Sequence, residues 1–168
     1  MKKTFLLITV LSVIAVFCSC SKAANITPVT RGISFTAELT YYNESYTALV
    51  TVSKNGDTDI AFTAPDALNS LMLHFSENGV TAKYNGLEYK YDISSVPDGI
   101  ACSYLYKILN DAAGENAEVT AENDCYYTES NGEKLKYRMY LGATGLPISA
   151  KDERTGFCVL FKNVTVLQ

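Results

Sequence analysis

The chain has no tryptophan and only one histidine in 168 residues. A multi-histidine metal centre is therefore excluded, and little is left for acid–base catalysis beyond His74 and the carboxylates. No basic run follows the first residues and the net charge is −4, so no nucleic-acid partner is expected. Long apolar runs are also missing: the longest mostly apolar stretch, Thr4 to Phe17, is uncharged and falls short of the roughly 20 residues of a spanning helix. Nucleotide-binding glycine loops and the G-x-S-x-G elbow are absent. At 48% hydrophobic and 19% charged, disorder is excluded, and the length suits one domain.

What is present begins at the N-terminus. Lys2 and Lys3 precede the uncharged stretch, which has the length of a signal-peptide core. It ends in Phe17-Cys18-Ser19-Cys20. This resembles the bacterial lipobox, with small Ser19 just before Cys20. The resemblance implies diacylglycerol transfer to Cys20, cleavage before it, and an exported domain anchored to the cell membrane through that lipid. Cys18 is the poorer acceptor, since bulky Phe17 would stand before it, and an ordinary secretory signal is the alternative. Removing residues 1–19 leaves 149 residues with 12 basic and 18 acidic side chains, a net −6, because Lys2 and Lys3 are lost. Charge would not draw such a domain to anionic lipid. Residues 21–31 have no period and include Pro28, so the expected organisation is a signal peptide over 1–19, a lipidated Cys20 and tether over 20–31, and one domain over 32–168.

From Gly32 onward the pattern has period two. Ile33, Phe35, Ala37, Leu39 and Tyr41 alternate with polar residues, as in a half-buried strand. Tyr46–Lys54, Asp59–Ala64, Leu71–Phe75, Leu87–Tyr91 and Leu135–Leu141 continue the rhythm. Four Asn-Gly pairs, at 55–56, 78–79, 85–86 and 131–132, separate such runs, and Asp152–Gly156 reads as a fifth hairpin turn. Ile100, Tyr104, Ile108 and Ala112 instead recur at helical spacing, between Pro97-Asp98 and Gly114. The expected fold is mainly β (α+β): a curved, open antiparallel sheet with one amphipathic helix, about 100–112, covering its concave face.

The polar residues suggest no reaction. His74 has no acid two residues away to orient it and no second ligand at metal spacing. Asp57-Thr58-Asp59 lacks the glycine and closing glutamate of a calcium loop. No enzyme activity, metal or cofactor is expected. Of the domain's thiols, Cys102 and Cys125 could form a bridge closing about two dozen residues and contributing roughly 3 kcal/mol. Three free thiols, Cys158 included, are the other state. Twelve tyrosines, some opposite the apolar set as at Tyr42 and Tyr140, suit either a half-buried sheet or an interface.

The order of elements then becomes informative. Phe35-Thr36-Ala37 and Tyr46-Thr-Ala-Leu-Val50 are followed by Phe62-Thr-Ala-Pro65, and then by the Tyr84-Asn-Gly-Leu-Glu-Tyr-Lys-Tyr91 hairpin and the helix. The chain closes on Gly145-Leu-Pro147, Asp152-x-x-x-Gly156 and Phe161-Lys-Asn-Val164. Over residues 32–168 this resembles the LolA/LolB-like superfamily of bacterial lipoprotein and lipid carriers. The resemblance implies an incomplete barrel plugged by helix, with a cavity for acyl chains or other hydrophobic ligands. Its lining would be Phe35, Leu39, Phe62, Leu71, Leu73 and Phe75, facing Tyr104 and Ile108. The chain is short and lacks the family's long N-terminal helix. A monomer is expected; the alternative is an envelope sensor or protein-interaction module whose core is filled.

Overall fold

The computed structural model describes residues 26–96, 100–114, 117–122, 125–133 and 135–168. The signal segment and Cys20 lie outside the described residues. Hydrophobic alternation and tight turns build the first meander: β1 (Ile33–Tyr41), β2 (Glu44–Val52), β3 (Thr58–Ala64), β4 (Met72–Ser76), β5 (Gly79–Tyr84) and β6 (Leu87–Tyr91). The helix α1 (Ala101–Ala112) follows. A second meander comprises β7 (Val119–Glu122), β8 (Cys125–Asn131), β9 (Lys136–Leu141), β10 (Pro147–Asp152) and β11 (Phe157–Val166).

All eleven strands form one antiparallel sheet in the order β6-β5-β4-β3-β2-β1-β11-β10-β9-β8-β7. The two meanders join at the centre, where β1 pairs with β11. The sheet is open, with β6 and β7 as its edges. This is the expected mainly β architecture, an open antiparallel sheet with one helix.

The core lies between α1 and one sheet face. Strand parity puts Ile33, Phe35, Ala37, Leu39 and Tyr41 inward from β1, and Val50, Ile60, Phe75, Met139 and Val159 join them. The helix contributes Cys102, Tyr104, Leu105, Ile108, Leu109 and Ala112 at its own period. Burying a side chain such as Leu105, which is fully enclosed, contributes about 1.5–3 kcal/mol. Among the described residues no helix is long and apolar enough to cross a membrane.

All four Asn-Gly pairs fall where two strands join, but only one has both residues at positive φ. Asn85 and Gly86 both take positive φ between β5 and β6. The β1–β2 turn has the same geometry without glycine, at Tyr42 (φ 47°) and Asn43 (φ 66°). Tyr42 is therefore a turn residue, with its ring against Tyr41.

Three features depart from the expected organisation. Residues 26–31 are docked rather than free: Pro28 and Thr30 are buried, Val29 N–H donates to Gly145 O at 2.9 Å, and Thr30 Oγ1 donates to Leu109 O at 2.8 Å. A tether gains no burial, whereas this strap satisfies a carbonyl at the C-terminal end of α1. The Cys102–Cys125 bridge is not made: Cys102 is buried beneath the sheet and Cys125 is exposed on β8, one strand in from the sheet edge. Cys158 is free as well. Finally, β6 is exposed along its whole length. Leu87, Tyr89 and Tyr91 keep their inward parity, pairing with Tyr84, Ala82 and Val80, but α1 does not cover them.

Candidate functional site

β1 and α1 define the two ends of the domain. The strap, the β2–β3 turn and the C-terminal end of α1 meet at the Ile33 end, where Asn110 Nδ2 reaches Gly56 O at 3.5 Å and Arg31 reaches Asn110 Oδ1 at 3.2 Å. The opposite end holds Tyr41, the β3–β4 connection and the start of α1.

At that second end the cover is incomplete. A half-open apolar pocket of about 300 Å³ lies between the sheet and the first turn of α1. Phe62, Leu71 and Leu73 form its sheet side, Tyr41 and Tyr46 one wall, and Ile100, Ala101 and Cys102 the helix side. Tyr46 is held edge-on to Phe62, with ring centres 6.2 Å apart. Leu39 pairs with Tyr46 across the strands, so the wall continues the core rather than standing apart from it.

The eight expected lining residues thus divide. Phe62, Leu71 and Leu73 line the pocket. Phe35, Leu39, Phe75, Tyr104 and Ile108 are buried in the same apolar cluster behind it. Phe35 packs edge-on against Phe161 with centres 4.9 Å apart, and Phe75 stacks on Tyr106 at 5.2 Å. Those contacts fill the space beneath the middle of α1. Tyr41, Tyr46, Leu68 and the first residues of α1 were not among the expected lining residues. For Tyr41 the signal was present, because it extends the inward alternation of Phe35 and Leu39.

Burial pushes the Cys102 thiol up to about 12, so this pocket residue is a neutral, apolar-like group at physiological pH. Deeper in, Tyr104 O–H lies 2.5 Å from Asp152 Oδ2 and 2.6 Å from Lys136 O, one hydroxyl hydrogen facing two acceptors. Burial first, and the Asp152 hydrogen bond second, push Tyr104 up to about 12. Burial also pushes the Asp152 carboxyl up. Hydrogen bonds from Tyr104, Arg154 N–H and Thr155, with the Arg154 charge, outweigh it and leave the carboxyl below its ordinary value. This network joins α1 to β10 and positions the helix; its Lys136, Asp152 and Arg154 also line a separate polar cleft on the β9–β10 side.

His74 does have an acid partner, through register rather than sequence spacing. Asp59 is opposite it on β3, and Nδ1 lies 2.8 Å from Asp59 Oδ1. Both side chains are exposed on the outer face, where such a pair contributes about 0–1 kcal/mol. Among the described residues no group of three or more His, Cys, Asp or Glu could hold a metal ion.

No protein-family model matches the chain, and no curated protein matches it either. Among solved structures it is similar to a LolA superfamily protein from Nitrosomonas europaea, at 9% identity and a TM-score of 0.43, over 86% of this chain and 90% of that one.

Proposed function

We propose that the chain is an exported lipoprotein, anchored through lipid on Cys20, whose domain binds a lipid or another hydrophobic ligand without covalent chemistry. The observation that supports this reading is the apolar pocket at the start of α1. Its volume of about 300 Å³ stands at the lower end of small-molecule sites. Each buried methylene contributes about 0.8 kcal/mol, so six of them give roughly 5 kcal/mol. Association costs of 4 kcal/mol or more absorb most of that. A useful affinity therefore needs a longer contact, and the sheet offers one. Leu73 pairs with Ala82 and Ala82 with Tyr89, so the pocket wall leads onto the uncovered inner side of the β5–β6 hairpin. There Leu87 is 57% exposed and Tyr89 50%. An extended acyl chain would lie in the pocket and along this side.

A second reading rests on its own observation. Five of the eight expected lining residues are sealed in a filled core, as in an interaction module that holds no ligand. Native mass spectrometry of the protein isolated from its own host, together with uptake of a fluorescent fatty acid, separates the two. The carrier reading expects a bound lipid and saturable uptake. It also expects Leu71→Glu to weaken uptake at least tenfold with an unchanged melting temperature, since half-buried Leu71 lets a carboxylate reach water. Consistent absence of bound lipid and of uptake would leave the interaction module.

A further inference from the structure

The strap and the pocket occupy opposite ends of the domain, and the chain between strap and anchor is short. We propose that this arrangement keeps the pocket mouth facing away from the bilayer that holds the protein, so that ligand enters from the aqueous side. The proposal rests on the reading of Cys20 as the anchor.

Distances decide it. The strap is fixed at the Ile33 end through Val29 N–H to Gly145 O, 2.9 Å, and Thr30 Oγ1 to Leu109 O, 2.8 Å. Gly145 has φ 80°, and a Cβ there would meet the Thr27 carbonyl oxygen, so backbone packs directly on backbone. The pocket mouth, with Tyr41 and Ile100, is at the other end of β1. β1 has nine residues and at ~3.3 Å per residue spans roughly 26 Å. Six residues lead from Cys20 to Ile26, and a fully extended chain covers at most ~22 Å over that number. The anchor is thus too short to let the domain turn over and set its mouth on the bilayer. A net −6 after cleavage adds no charge attraction that would pull it down.

The acylated full chain, in phosphatidylethanolamine–phosphatidylglycerol vesicles, tests this by photo-crosslinking. Benzoylphenylalanine replaces exposed Thr144 at the strap end in one variant and Tyr42, 68% exposed, at the mouth end in another. Phospholipid adducts should be at least fivefold more abundant at 144 than at 42. Inserting twelve glycine and serine residues between 25 and 26 should bring the two yields together. Equal yields in the uninserted chain, a higher yield at 42, or a contrast that survives the insertion would each overturn the proposal. Intact mass reports acylation of Cys20 separately. If it is absent, holding the chain to nickel-chelating vesicles through a hexahistidine tag placed at residue 20 repeats the comparison, so a failed anchor and a failed orientation give different results.

Discussion

Tyr104→Phe removes one oxygen from the core and tests how α1 is held to the sheet. The Asp152 side chain is fully buried at 0% exposure, with the Arg154 guanidinium 3.5 Å from Oδ2. Oδ2 accepts from Tyr104 O–H at 2.5 Å and Oδ1 from Arg154 N–H at 2.8 Å. The substitution leaves Arg154 as the nearest partner and strands part of a buried carboxylate. Losing a donor to a buried polar group costs about 1–3 kcal/mol. At about 2–4 °C per kcal/mol for a domain of this size, the melting temperature should fall by roughly 2–12 °C at pH 7. The pH dependence adds a second check. The Asp152 carboxyl lies below its ordinary 3.8 in the fold, so its charge stabilises the protein at neutral pH. That contribution is lost only as pH falls through the folded value. In the variant, burial is opposed by fewer hydrogen bonds, and the carboxyl takes up a proton at higher pH. A neutral carboxyl is cheaper to bury, so the deficit should shrink at pH 4. Differential scanning calorimetry at both pH values measures this. A melting temperature within about 1 °C of the parent at pH 7, or the same deficit at both pH values, would refute the reasoning.

The remaining predictions concern the strap and the thiols. Gly145→Ala places a methyl against the Thr27 carbonyl oxygen at φ 80° and should cost at least about 1–3 kcal/mol; hydrogen exchange at Val29 and proteolysis before Gly32 should both rise, and unchanged protection would show that the strap is not held there. Thr30→Val removes the hydroxyl that donates to Leu109 O and should destabilise by about 1 kcal/mol, read from urea midpoints; an unchanged midpoint would contradict that. In alkylation at pH 8, Cys125 should react first and half-buried Cys158 more slowly, while Cys102, raised to about 12, should react only on unfolding; two mutually protected thiols would indicate a disulfide instead.

Much of the fold was legible because it depends on local rules. Alternation from Ile33 to Tyr41, helical spacing from Ile100 to Ala112 and Asn-Gly turns each dictate their own element, and the structure reproduces them with small shifts of boundary. What was not legible depends on partners distant in the chain. The Tyr42-Asn43 turn has no glycine to mark it, because Asn43 and even Tyr42 are carried into positive φ by the paired strands around them. Short β7, with no buried side chain, has no apolar alternation to reveal it. His74 meets Asp59 through register, and Tyr104 meets Asp152 from 48 residues away. The candidate site divides in the same way. Strand alternation put the sheet residues, and helical spacing put Tyr104 and Ile108, on the sides that form the apolar cluster, but where along that face the helix ends, and hence which residues line open space, is set by packing. The strap was hidden for a related reason: buried Pro28 and Thr30 pack as isolated residues without a period.

The pairing of β1 with β11 has a consequence for how the protein is made. Thr165 Oγ1 reaches back to Ser34 O across 131 residues, so the two neighbours at the middle of the sheet are its first and last strands in chain order. Until β11 emerges, the inner seam of the sheet is a raw edge, and a chain shortened by its last dozen residues retains two half-sheets with nothing between them. Closing so long a loop is slow. Folding therefore includes an interval in which β1 is open to any strand that reaches it, and chaperones that shield strand edges would act on this protein before its final residues arrive.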